Sequence, residues 1–450
     1  MDQKEKPNSR RQFLRGAAAA GVVCVVGASG LVSSCQSNSR EEYPYPPLLD
    51  KAPDGPLLKA GVVGCGYRGT GAAINYLNAG PNVQITALGD MFDDRLQLCR
   101  QKLKEEKGVE IDSEKCFTGF DAFQQVIDSG VDVVILATPP HFRPSHLEAC
   151  VKARKHVFME KPIAVDPVGV RRVMIAGEKA KAMGLTIVTG TIKRHQKDYV
   201  ETYKRVWAGD LGDIVSANSY YNVGKLWHKN PRAQWSEMEA MLRDWVNWCW
   251  LSGDHIVEQH VHNLDVVNWF VGKHPEKALG FGARQRRVTG DQYDFFSVDF
   301  VYEKEIHYQS MCRQINDCSN NVSDLIRGSK GYTNCQNTLY RPDGSTMWSY
   351  SYPKDEKGQS TNHVKANPYD QEHVDMVTAI RTGKPINEAQ NIAESTLTGI
   401  MGRISAYTGK EVTWDEMMNS DLYLGPKKYI MGPVDIKKEI PCPGSSPKEV

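Results

Sequence analysis

Apolar residues recur along this chain in two rhythms. Between residues 57 and 190, short apolar runs alternate with stretches of helical period. Runs at 57–63, 83–88, 131–137, 156–159 and 185–190 predict strands. Stretches at 72–77, 96–104, 122–128, 144–155 and 168–183 predict the helices between them. The run at 131–137 is of the kind buried on both faces of a parallel sheet. This alternation predicts an N-terminal α/β layer, a doubly wound parallel sheet.

After Thr191 the rhythm changes. Helical period marks 199–207 and 255–271, and 214–221 alternates like a sheet strand. The stretch 227–250 is tryptophan-rich and irregular. Short strands at 281–287, 294–302, 305–313, 324–328 and 331–334 predict a C-terminal α+β domain with an open, mostly antiparallel sheet. Helices at 370–381 and 392–408 close it, and the Pro/Ser/Gly-rich stretch after 441 reads as loose.

Composition narrows the class. The chain has 450 residues, 40% hydrophobic and 24% charged, which is the profile of a soluble globular protein of about two domains. A net charge of +1 gives no field to draw it to nucleic acid, and no nucleic-acid partner is expected. The eleven cysteines form no CxxC pair, so no zinc site or disulfide framework is indicated.

The N-terminus stands apart. Ser9-Arg10-Arg11-Gln12-Phe13-Leu14-Arg15 precedes an Ala/Gly/Val-rich run at 16–32. This charged region followed by an apolar one resembles a twin-arginine export signal. Val32-Ser33-Ser34-Cys35 resembles a lipobox, with Cys35 as the lipid-bearing residue. The expected location is the periplasm or cell envelope, reached through the twin-arginine export machinery, with a possible lipid anchor at Cys35. Twin-arginine export carries folded proteins, so a cofactor can be loaded before export. Residues 36–56, rich in Ser, Pro and Asp, read as a tether.

The first candidate chemistry is Gly64-Cys65-Gly66-Tyr67-Arg68-Gly69, between a predicted strand and a predicted helix. In that context Gly64 serves the tight turn, Gly66 the approach of a pyrophosphate, and Gly69 close helix–sheet packing. The phosphate would meet the positive end of the helix, beside Tyr67 and Arg68. Asp90 lies at the end of the second strand, where a ribose-binding acid belongs. An acid there repels a 2′-phosphate, so the expected cofactor is NAD. Thr138 and Pro139 end the buried strand at the edge where ligands bind in such sheets.

The run Ala137-Thr138-Pro139-Pro140-His141, followed by Glu160-Lys161-Pro162 after 156–159, resembles the glucose–fructose oxidoreductase/inositol dehydrogenase (Gfo/Idh/MocA) family. The resemblance runs from about 57 to 428. It implies that Lys161 lies beside nicotinamide and substrate, often before a cis proline, and that His141 and Glu160 border the cofactor. It also implies a second-half acid, histidine and aspartate, matched here by Glu258, His262 and Asp265. This sequence departs from the usual pattern in carrying Glu258 for aspartate and His260 for glycine. The implied domains are a signal (1–35), a linker (36–56), an NAD-binding Rossmann domain (57–190), a substrate and oligomerisation domain (191–428) and a tail (429–450).

The residues agree by themselves. At 100° per residue, His255, Glu258, His262 and Asp265 fall in a sector roughly 80° wide on an otherwise apolar helix. Titratable groups on such a stripe must pair or line a cavity. On a continuous helix His260 points more than a right angle away from His262, so the two share no ion and no metal is expected.

The chemistry expected is hydride transfer from a sugar, glycoside or cyclic polyol carbon to tightly bound NAD. His262 would be the base, Lys161 the support for alkoxide charge, and Glu258 the orienter of the histidine or the grip on a neighbouring hydroxyl. Arg194, His195, Tyr221, Trp227, His228, Arg243, Trp245, Trp250, His255 and Asp265 are candidate sugar contacts. The alternative is an NAD-dependent glycosidase or lyase that oxidises the sugar transiently, eliminates, and returns the hydride. The family resemblance also implies a homo-oligomer formed through the open sheet.

Overall fold

The structure is a computed structural model of the chain and describes residues 48–354, 356–359, 361–362 and 366–444. The predicted signal, including Cys35, and residues 36–47 of the linker lie outside the described residues.

The first sheet contains β1 (Leu58–Val63), β2 (Val83–Asp90), β3 (Cys116–Thr118), β4 (Val133–Leu136), β5 (His156–Met159) and β6 (Ile187–Thr189). Their order is β3-β2-β1-β4-β5-β6, and every pairing is parallel. Val133 to Leu136 are fully buried, as the continuous apolar run demands. Helices Tyr67–Asn78 and Asp93–Lys107 follow β1 and β2. The strand order reverses at β1, which pairs with both β2 and β4. A ligand crevice is expected at the carboxyl ends of those strands.

The second sheet contains β7 (Ile214–Val223), β8 (Lys277–Ala283), β9 (Phe295–Tyr302), β10 (Ile306–Gln314), β11 (Asn321–Gly328), β12 (Gly331–Thr333), β13 (Thr338–Tyr340), β14 (Thr346–Ser349) and β15 (Val412–Thr413). Their order is β14-β13-β12-β11-β7-β10-β9-β8-β15, antiparallel except for the parallel β7–β10 pair. Helices Val261–Val271 and Ala389–Thr408 cover one face. A side chain at Gly402 would come within 2.8 Å of Phe300, so glycine there lets the second helix lie close on the sheet. On the other face Leu279, Phe281 and Met311 are exposed.

Three expectations change. The predicted helix 255–271 is broken: a turn at His255–Glu258 ends at Gln259, and a new helix starts at Val261. The described end of the predicted tether is docked, with Ala52 buried and its N–H donating to the Ala79 carbonyl at 2.8 Å. The helix Pro368–Thr382 belongs spatially to the first sheet, where Val374, Met376 and Val377 pack with the β1 and β4 core. Strands β3, β13, β14 and β15 were not predicted; each is two to four residues long, too short to show a period.

Candidate active site

β1 runs straight into the glycine loop. Gly64 sits at φ +94°, and a Cβ there would come within 2.7 Å of the Ala137–Thr138 backbone. A Cβ on Gly69 would lie 1.8 Å from the Gly64 carbonyl oxygen. Gly66 instead faces open space, with only the Arg95 guanidinium at 3.9 Å. The helix Tyr67–Asn78 begins with no side-chain cap and no acid in its first turn. Its free N–H groups suit a pyrophosphate.

The loop borders a cleft of about 1350 Å³, also lined by Asp90, Thr138, Pro139 and the exposed Tyr67. Asp90 is buried, and burial raises its pKa. Its carboxylate accepts from the Cys65 N–H at 2.6 Å and the Phe92 N–H at 2.9 Å. It therefore braces the loop as well as standing where a ribose belongs. The loop and cleft fit a dinucleotide: the glycines leave room, the helix end is unneutralised, and the acid is in place.

Arg68 carries the loop toward the second motif. It pairs with Glu160 at 2.5 Å and with Glu372 at 3.5 Å, and lies over the Tyr369 ring. Glu160 in turn accepts from the Lys161 N–H at 3.3 Å. The Lys161–Pro162 peptide bond is cis, and Arg143 donates to the Pro162 carbonyl at 2.5 Å. The Lys161 ammonium donates to the Glu258 carbonyl at 2.5 Å and to its carboxylate at 3.1 Å. The other Glu258 oxygen accepts from Gln259, whose own oxygen accepts from the Tyr221 hydroxyl at 2.9 Å. Glu258 thus orients the lysine, where the sequence had it orient the histidine or grip a substrate hydroxyl.

His262 is half-buried; its backbone N–H donates to the Gln259 carbonyl at 3.4 Å, and its ring makes no hydrogen bond to a described residue. Burial, then the Lys161, Lys193 and Arg68 charges, push its pKa well below the ordinary value. Burial and these cations all favour the neutral ring.

Other predicted contacts lie elsewhere. Arg194 and Asp265 form a buried two-pronged pair at 2.8 and 2.9 Å, with Ser395 also donating to Asp265. His195 is buried between Asp375 at 2.7 Å and Glu388 at 3.1 Å. His255 is buried against Asp254 at 2.9 Å and Phe296. All four are buried and paired inside the fold, although His255 Nε2 keeps no partner. His141 is tied at 2.7 Å to the Tyr429 hydroxyl of the C-terminal segment and packs edge-on against buried Trp250, away from the cleft lining. Trp227, His228, Arg243 and Trp245 do line the cleft, together with the glycine loop, and Arg243 sits on Phe92 and Asp94. The break at Gln259 also removes the angular argument about His260, which bonds Ser310 at 2.7 Å. Among the described residues no three His, Cys, Asp or Glu side chains are grouped to hold a metal.

Phe92, Arg95, Phe120, Trp235 and Tyr369 line the cleft and were not singled out from the sequence. Phe92 and Arg95 carried a signal, since they follow the ribose acid directly.

Residues 58–188 match the family model for the Gfo/Idh/MocA oxidoreductases with an NAD-binding Rossmann fold. Over those residues the chain is similar to the NAD-binding domain of that family. An uncharacterized oxidoreductase of Streptococcus pneumoniae serotype 4 is 26% identical over 345 residues, 73% of this chain and 82% of that protein. The 2,7-anhydro-N-acetylneuraminate hydratase of Escherichia coli strain K12 is 28% identical over 227 residues, 50% of this chain and 53% of its own length. The chain therefore spans about half of that relative. The fold of both halves is that of the scyllo-inositol dehydrogenase of Lactobacillus casei, solved with NAD(H) and scyllo-inositol. Its TM-score is 0.59 at 20% identity, over 79% of this chain and 99% of the other. The cofactor of this NAD-binding Rossmann fold is NAD.

Proposed function

We propose that the protein oxidises a hydroxyl-bearing carbon of a sugar, glycoside or cyclic polyol, using tightly bound NAD. One observation carries this reading. Lys161, from the end of β5, is clamped by Glu258 from the second half, and a neutral, unbonded His262 lies within reach of its field. Bound NAD supplies the hydride acceptor. Two of the three ammonium donors of Lys161 are committed to Glu258, which leaves one for the substrate oxygen. That donor stabilises the alkoxide as charge develops. An unprotonated ring nitrogen of His262 accepts the hydroxyl proton. Gly66 admits the pyrophosphate in the turn that Gly64 and Gly69 allow, and Asp90 takes the ribose.

A redox-neutral course, with transient oxidation, elimination and return of the hydride, is favoured by the similarity to the anhydroneuraminate hydratase. Release of an aglycone without net NADH would mark it; sustained NADH would mark a dehydrogenase. Twin-arginine export, a lipid on Cys35 and a periplasmic or envelope location are part of the same proposal, resting on residues 9–35. Cell fractionation with the mass of the mature N-terminus tests them. Pairing of copies through the exposed Leu279, Phe281 and Met311 face is tested by light scattering.

The central test is Lys161→Ala. It should abolish turnover on a glycoside and polyol panel while mass spectrometry still finds bound nucleotide. Wild-type turnover would remove the lysine from the mechanism.

A further inference from the structure

The second-half residues lining the cofactor cleft come from residues 227–245, apart from Tyr369. Arg243 makes two hydrogen bonds to Asp94, at 3.0 and 3.1 Å, and its guanidinium lies 3.9 Å from the Phe92 ring centroid. Arg95 donates to the Arg243 carbonyl at 3.3 Å. Asp94 and Arg95 open the helix that follows Asp90, so these contacts stand over the adenosine end of a bound dinucleotide. Beneath them Phe92 is buried with Met238, Met241 and Leu242.

The same segment is strapped from behind. The Met238 N–H donates to the Gly432 carbonyl at 3.0 Å, and Glu237 accepts from the Val434 N–H at 2.8 Å. The strap is itself fixed to the first half through Tyr429 and His141, and through the Leu424 N–H to Asp166 at 3.0 Å.

We propose that residues 227–248 form a latch over the adenosine pocket, closed by Arg243 on Asp94 and Phe92 and held down by residues 424–434. Cofactor can leave only when this latch opens, which makes NAD(H) a resident group that is regenerated in place. The inference rests on the NAD-dependent reading above. It goes further in naming the segment that retains the cofactor.

The test is exchange of bound NAD against isotopically labelled NAD, followed by native mass spectrometry of the full chain. Asp94→Asn should speed exchange about three- to fivefold, as loss of a partly exposed ion pair does. Arg243→Ala, which also loses the Phe92 contact, should speed it roughly tenfold or more. The charge-swapped Asp94→Arg/Arg243→Asp pair should slow it again toward wild type. Equal exchange in wild type and variants, with nucleotide bound in all, overturns the latch alone. Failure of the wild type to carry or bind NAD overturns the latch and the function together.

Discussion

Two clusters of charged side chains meet the same stretch of the second half, and they end differently. In one, Arg194 closes on Asp265 and His195 on Asp375 and Glu388. In the other, Lys161 leans on Glu258, and the His262 ring is left without a hydrogen-bond partner among the described residues. Both clusters are mostly buried; the sequence marked Arg194, His195 and Asp265 as sugar contacts, and Lys161, Glu258 and His262 for catalysis. What separates them is saturation. A buried polar group whose hydrogen bonds are all made has its work done inside the fold. One whose ring or donors stay unpaired can act on something else.

The largest effect that would break this contrast is on His262. His262→Asn should lower turnover about 10²–10⁴-fold, the span of a lost general base. Nucleotide content should stay near wild type by mass spectrometry. An active His262→Asn enzyme would leave the open cluster with no claim to the chemistry.

Next comes the closed cluster. Asp265→Asn strands the buried Arg194 charge, and breaking such a pair costs about 3–5 kcal/mol. Urea titration should show that loss, while turnover per folded molecule stays close to wild type. If Asp265→Asn keeps its stability but loses activity, the two clusters have been assigned the wrong way round.

The contrast also marks what the chain reveals of itself. The first sheet was legible because strands such as β4 are buried on both faces, and burial writes itself as an unbroken apolar run. Gly64 and Gly69 were legible because steric limits allow little else there, and Asp90 because a ribose-binding acid belongs at that strand end. The break at Gln259–His260 was not, because apolar residues continue on both sides and carry the helical period through the turn. The Lys161–Glu258 clamp joins residues 97 positions apart, and the pairs that close Arg194 and His195 reach 71 and 193 positions. Periodicity is local and cannot report such partners. The strap on His141 was missed for the same reason: Tyr429 lies in a stretch with no period at all.

The smallest effect separates the two histidines by sign. Burial alone would lower the His195 pKa, but Glu388 and Asp375 hold it well above the ordinary value. A histidine raised in the folded state adds stability in full below its unfolded value of about 6.5, and loses it as pH climbs through the folded value. His262 runs the other way. Burial, then the Lys161 charge, lower its value, so its contribution is complete above about 6.5 and is lost as pH falls. Neither group alone can exceed a slope of about 1.4 kcal/mol per pH unit. Urea midpoints followed from acid to alkaline pH should therefore decline at both ends. His195→Gln should flatten the alkaline decline. His262→Asn should ease only part of the acid one, because His146 and His260 are also held low by burial. If His195→Gln left the alkaline limb unchanged, its proton would not be bound by the two carboxylates. The closed cluster would then lose the pairing that sets it apart from the open one.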